Sequence, residues 1–152
     1  MWLHDEFQKY TAKYFDGKSI RQSDGLTVVI RGHLLIETAL EVLLSQYLDL
    51  KVFEDRDLSF DDKLKLAQSM KLLGDLYAPI KRLNKIRNDF AHKIETKIQD
   101  VDIEVFVQFI KARKHDDSEI FKTYIEEKQL YLGQIIHYIL GCLMGIIERA
   151  PN

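Results

Sequence analysis

Residues 26–48 read LTVVIRGHLLIETALEVLLSQYL. At about 100° per residue, Val29, Ile30, Leu34, Ile36, Leu40, Leu43, Leu44, Tyr47 and Leu48 gather into one wide apolar arc, the pattern of a helix laid against a core. Asp24, just before Gly25, supplies a start signal of the N-cap kind. Three ionisable residues, His33, Glu37 and Glu41, project from the same arc at i, i+4, i+8 spacing, with Glu37 near its centre. A buried carboxylate is costly without a partner, so something must meet it.

Working outward, the same periodicity predicts a first helix over 3–15, with Phe7, Tyr10 and Tyr14 on one side. Residues 49–58 are charged and aperiodic, a loop. Ser59 ahead of Asp61 and Asp62 reads as an N-cap with acids in the first turn, opening a helix to about Leu73, where Gly74 fits a C-terminal cap. Pro79 suits the first turn of the next helix, Asp100 a cap for a helix over 101–112, and Ser118 the start of a last long helix reaching Ile147. Residues 111–117, basic then acidic, read as a loop.

With two prolines and seven glycines in 152 residues, the turn residues that a β-sandwich needs are missing. The expected fold is all-α: an antiparallel bundle of five to six helices, one domain over 1–152. Cys142 is the only cysteine, which excludes an intramolecular disulfide and a Cys-based zinc site. The amino terminus, MWLHDEFQKY, lacks the basic and apolar regions of a leader. Residues 130–147 are apolar but interrupted by Gln134 and His137, which suits a buried helix better than a membrane span. A cytoplasmic protein without membrane partners is expected.

The segment after Pro79 mirrors the long helix. Ile80, Leu83, Ile86, Phe90, Ala91 and Ile94 share an arc, and Arg87 falls inside it as the natural partner for Glu37. Asn84, Asn88, His92, Lys81 and Lys85 form an adjoining polar strip. Arg87 and His92 diverge by about 140° on a regular helix. They converge if the arginine bends, the helix loosens or a second subunit contributes. From 79 to 98, six basic residues (Lys81, Arg82, Lys85, Arg87, Lys93, Lys97) face two acids, a net +4 in a chain of net −2. Lys81, Arg82, Lys85 and Lys93 are therefore the candidate contacts to nucleic-acid phosphates.

The string Arg87-Asn88-Asp89-Phe90-Ala91-His92 resembles the R-N-x-x-x-H form of the signature of HEPN domains, in a context similar to the mannitol operon repressor-like branch. The long helix carrying RGHLLIE, 31–37, fits the same helix order. The resemblance implies a homodimer whose motif helices face each other across a cleft, binding RNA or a nucleotide. It also implies a metal-independent endoribonuclease without cofactor, with Arg87, His92 and Asn88 catalytic and Glu37 and His33 supporting. A toxin or phage-defence setting follows, with an antitoxin or regulatory protein as partner. Some toxins of this superfamily carry a modified tyrosine two positions after the histidine; here that residue is Ile94, so this mode of control is not expected. The alternative is a non-catalytic regulator of transcription or protein-interaction module, as in mannitol repressor-type relatives.

Other residues read more plainly. His33 is expected to hydrogen-bond Glu37 within the core, and His137 to pack or sit at a rim. Asp61-Asp62 and Asp116-Asp117 read as solvated caps, with no metal site. Gly141 and Gly145, four apart, are expected to permit close helix packing.

Overall fold

Helices account for most of the described residues. The computed structural model describes residues 2–22, 24–49, 51, 58–93, 95–113 and 127–150. Among these, seven α-helices follow in order: α1 Trp2–Tyr14, α2 Gly17–Gln22, α3 Gly25–Ser45, α4 Phe60–Ser69, α5 Tyr77–His92, α6 Glu104–Arg113 and α7 Lys128–Arg149. Two 3-10 turns, Gly74–Leu76 and Ile98–Asp100, precede α5 and α6. The described residues contain no strand, and the all-α expectation holds.

The long central helix starts where the sequence indicated. Asp24 caps α3, its carboxylate accepting from the Thr27 amide at 2.6 Å. Ser59 and Asp62 form a full capping box at α4, with Ser59 Oγ accepting from the Asp62 amide and Asp62 Oδ2 from the Ser59 amide.

Other boundaries move for identifiable reasons. Helix α4 ends at Ser69 rather than near Leu73 because Lys71 takes a left-handed conformation, φ 60. The Leu72 amide then donates to Ala67 O and the Lys71 amide to Gln68 O, which closes a Schellman motif. Gly74, expected as the cap, instead opens the following 3-10 turn at φ 56. Before α6 it is Asp102, not Asp100, that accepts from the Glu104 amide. Residues 111–113, where the expected helix end and the expected loop meet, complete α6. The short α2 was not foreseen; Asp16 Oδ1 accepts from the Ser19 amide at its start. The expected start of the last helix at Ser118, the loop over 52–57, and Ile94 lie outside the described residues.

Helix α3 is the hub, packed against α7, α5 and α4. Its core face differs in part from the sequence arc. Val29, Ile36, Leu40, Leu43 and Leu44 are buried as expected, whereas Ile30, Leu34 and Tyr47 are exposed, Leu34 at 56%. Val28, Gly32 and Ala39 are buried instead. The arc was wider than the neighbours can cover, and the small residues mark where they approach. A Cβ on Gly32 would lie 2.6 Å from Ile136 Cδ1, and one on Gly133 would collide with Ile20 Cδ1. Close packing thus runs through Gly32 and Gly133, not through Gly141, which has open space around it.

Helix α7 alone among the described helices is long and apolar enough to cross a membrane, yet 61% of that apolar window is buried inside the bundle. Polar ties fix it there. Gln46 Nε2 donates to Ile147 O, Gln129 Nε2 to Ile20 O, and Lys128 Nζ to Gln99 O and Val101 O. Arg113 forks onto the Asp75 carboxylate at 2.7 and 3.0 Å, pinning the end of α6 to the turn before α5.

Candidate functional site

The charged seam on α3 opens into a polar pocket of about 300 Å³. Three helices build it. His33, Leu34 and Glu37 come from α3, Ser59, Phe60 and Asp61 from the start of α4, and Asn84, Arg87 and Asn88 from α5. Spacing explains the α5 wall, since Asn84, Arg87 and Asn88 stand at i, i+3, i+4 and share one helical face.

His33 is the anchor. It is 6% exposed and stacks on Phe60 at 4.0 Å between ring centroids. Its hydrogen bond joins Nε2 to Asn84 Oδ1 at 2.9 Å, so its partner is the α5 amide and not Glu37, as the sequence suggested. Burial pushes its pKa below the usual imidazole value, against the Asn84 hydrogen bond, and the nearby Arg87 charge pushes the same way. Because Asn84 Oδ1 can only accept, Nε2 carries a proton and donates it.

Glu37 shares the pocket with Arg87 but takes its cation from elsewhere. Lys63 of α4 approaches Glu37 Oε2 at 3.4 Å and Glu41 Oε1 at 2.7 Å, bridging the two acids that α3 places one turn apart. The Lys63 ammonium is only 13% exposed; its pKa is raised because the contacts to Glu41 and Glu37 outweigh the opposing effect of burial. The expected Glu37–Arg87 ion pair is absent among the described residues. Arg87 is half-buried and donates through Nη1 to Asn88 Oδ1 at 3.2 Å, and no described carboxylate lies within ion-pair distance of it.

The remaining sequence candidates spread outward from this pocket. His92, last residue of α5, is exposed and lies outside the pocket lining. Because α5 runs regularly to His92, helix loosening does not bring it toward Arg87. Lys81 and Lys85 are exposed, with Lys81 Nζ 5.7 Å from the Tyr77 ring. Lys93 pairs with Asp89 at 3.6 Å, and Arg82 donates through Nε and Nη2 to Asp102 O, a tie between α5 and α6. His137 is exposed on α7. The described residues hold no group of three His, Cys, Asp or Glu side chains suited to a metal ion.

Lys63, Phe60 and the contact role of Asn84 were missed. Asn84 carried a signal, standing one turn before Asn88 on the polar strip; Lys63 carried none. Comparison with family models, curated proteins and solved structures returned no match.

Proposed function

We propose that the chain is a HEPN-like protein that binds RNA or a nucleotide at this pocket and cleaves RNA as a metal-independent endoribonuclease. A cytoplasmic toxin or phage-defence setting goes with that reading. The observation that carries it is Arg87: a half-buried guanidinium in a polar pocket, tied to Asn88 and not to an acid of the described protein. A guanidinium so placed is suited to a phosphate, which it can hold by two parallel hydrogen bonds. The surrounding segment, net +4, adds attraction for a polyanion.

In the reaction, an imidazole takes the ribose 2′-hydroxyl proton. The 2′-oxygen attacks the phosphorus, a second imidazole protonates the departing 5′-oxygen, and a 2′,3′-cyclic phosphate is left. Arg87 stabilises the charge gathering on the phosphoryl oxygens. His92 would supply the imidazoles from two copies, because within one protomer it lies outside the Arg87 pocket. Leu26, Ile30 and Leu34, exposed at i, i+4, i+8 on α3, offer a second copy an apolar stripe that runs to the pocket edge at Leu34.

Incubation of purified protein with RNA in EDTA tests this. Cleavage leaving cyclic phosphate ends, lost in Arg87→Ala and in His92→Ala, is the expected result. Intact RNA, or equal cleavage by the variants, refutes the nuclease. The exposed position of His92 favours one second reading, a non-catalytic regulator that binds through the same pocket. Under it, His92→Ala leaves both binding and melting temperature unchanged.

A further inference from the structure

We infer that the pocket is a guanine-selective base site on the RNA or nucleotide that the motif handles. The inference rests on the nucleotide-binding reading just given and adds which base is chosen. Its basis is that the two walls have opposite hydrogen-bonding character.

The α5 wall donates. Asn84 gives one lone pair of its oxygen to His33 and Asn88 one to Arg87, and no hydrogen bond of either NH₂ group is among those of the described residues, so donors make up most of the capacity left on this wall. The remaining Arg87 N–H groups stay with the phosphate. The α3 wall accepts. Glu37 gives Lys63 one contact of 3.4 Å through Oε2, and a carboxylate has about four lone-pair sites, so most of its accepting capacity is uncommitted. The neighbouring acid, Asp61, is engaged more closely by Lys65 at 2.7 Å and is the more exposed of the two.

A planar ligand that satisfies both walls carries two adjacent donors on one edge and two adjacent acceptors on another. Guanine does: N1–H and N2–H₂ face a carboxylate, while O6 and N7 accept from the two amides. Adenine sets the N1 lone pair beside its one amino donor. Uracil flanks its single N–H with two carbonyls, and cytosine sets N3 beside N4–H₂; each turns an acceptor toward Glu37. A volume of about 300 Å³, at the small end of ligand pockets, suits one nucleotide.

The test is equilibrium binding of GMP, AMP, CMP, UMP and IMP to the full chain by calorimetry. GMP should bind about tenfold or more tightly than the other three common nucleotides, because a bidentate base contact discriminates by that order. IMP lacks only the 2-amino group and should also lose about tenfold, as expected when a hydrogen bond to a charged group is removed. Glu37→Gln should abolish the preference; Lys63 keeps Glu41, so the variant retains its main ion pair. Arg87→Ala should weaken all five nucleotides alike. Equal binding of GMP and IMP, or of the four common nucleotides, overturns the inference without any variant. A preference that survives in Glu37→Gln overturns it too. RNA cleavage without base preference would refute guanine selection and leave the nuclease standing. GMP preference in a protein that leaves RNA intact would do the reverse.

Discussion

Gly32→Ala probes the contact on which the pocket's placement depends, since Gly32 seats α3 on α7 one residue before His33. The added Cβ would meet Ile136 at 2.6 Å (Cδ1), 2.8 Å (Cγ2) and 3.1 Å (Cγ1), where ordinary contact begins at 3.4 Å. Rotation about the outer bond of Ile136 moves Cδ1 but not Cγ2, so the side chain or the helix must shift. Ile136 is fully buried and has nowhere open to go. Overpacking of this kind costs about 1–3 kcal/mol, and a clash on both branches belongs in the upper part of that range. Helix propensity returns about 1 kcal/mol when alanine replaces glycine. The net loss is then about 1–2 kcal/mol, a fall in melting temperature of roughly 2–8 °C for a chain of this size. Thermal melts followed by circular dichroism, with urea titration alongside, measure it. Adding Ile136→Val removes Cδ1 and should couple favourably by about 0.5 kcal/mol or more in a double-mutant cycle. A Gly32→Ala protein as stable as the parent would refute the close α3–α7 packing.

Three further outcomes follow from the same structure. Lys71→Gly relieves a left-handed lysine, φ 60, and should raise stability by about 0.5–1 kcal/mol, read as a higher urea midpoint. Lys63→Met leaves Glu37 and Glu41 without their shared cation and should cost about 1–3 kcal/mol at neutral pH, with most of the loss recovered when Glu37→Gln is added. His33, whose folded pKa lies below its ordinary 6.5, keeps its contribution above pH 6.5 and loses it as pH falls through the lower folded value. Stability should therefore decline on acidification in that window, by at most about 1.4 kcal/mol per pH unit for one proton, and His33→Gln should flatten the profile.

Helix identity was legible because scarce breakers and long apolar periodicity leave few alternatives, and local caps such as Asp24 and Ser59 depend only on neighbours in sequence. What spacing could not supply was which helix faces which. Glu37 was correctly read as an acid needing a cation, but Arg87 and Lys63 are equally good candidates until α4 is seen beside α3. The same ignorance sent His33 to Glu37 instead of Asn84. Ile30 and Leu34 read as core because an apolar arc carries no mark of where its neighbours end. The left-handed turn at Lys71 escaped because lysine gives no hint of a conformation that glycine would advertise.

The bridge from Lys63 to Glu37 and Glu41 has one more effect. It leaves the Arg87 guanidinium with no described acid to be prised from, so a phosphate bound there as proposed would displace no carboxylate and would compete only with the Asn88 amide oxygen. A receptor prepared in this way loses little to rearrangement when it is filled. Its grip on anions should then track the ionic strength outside the protein, not a contest between groups within it.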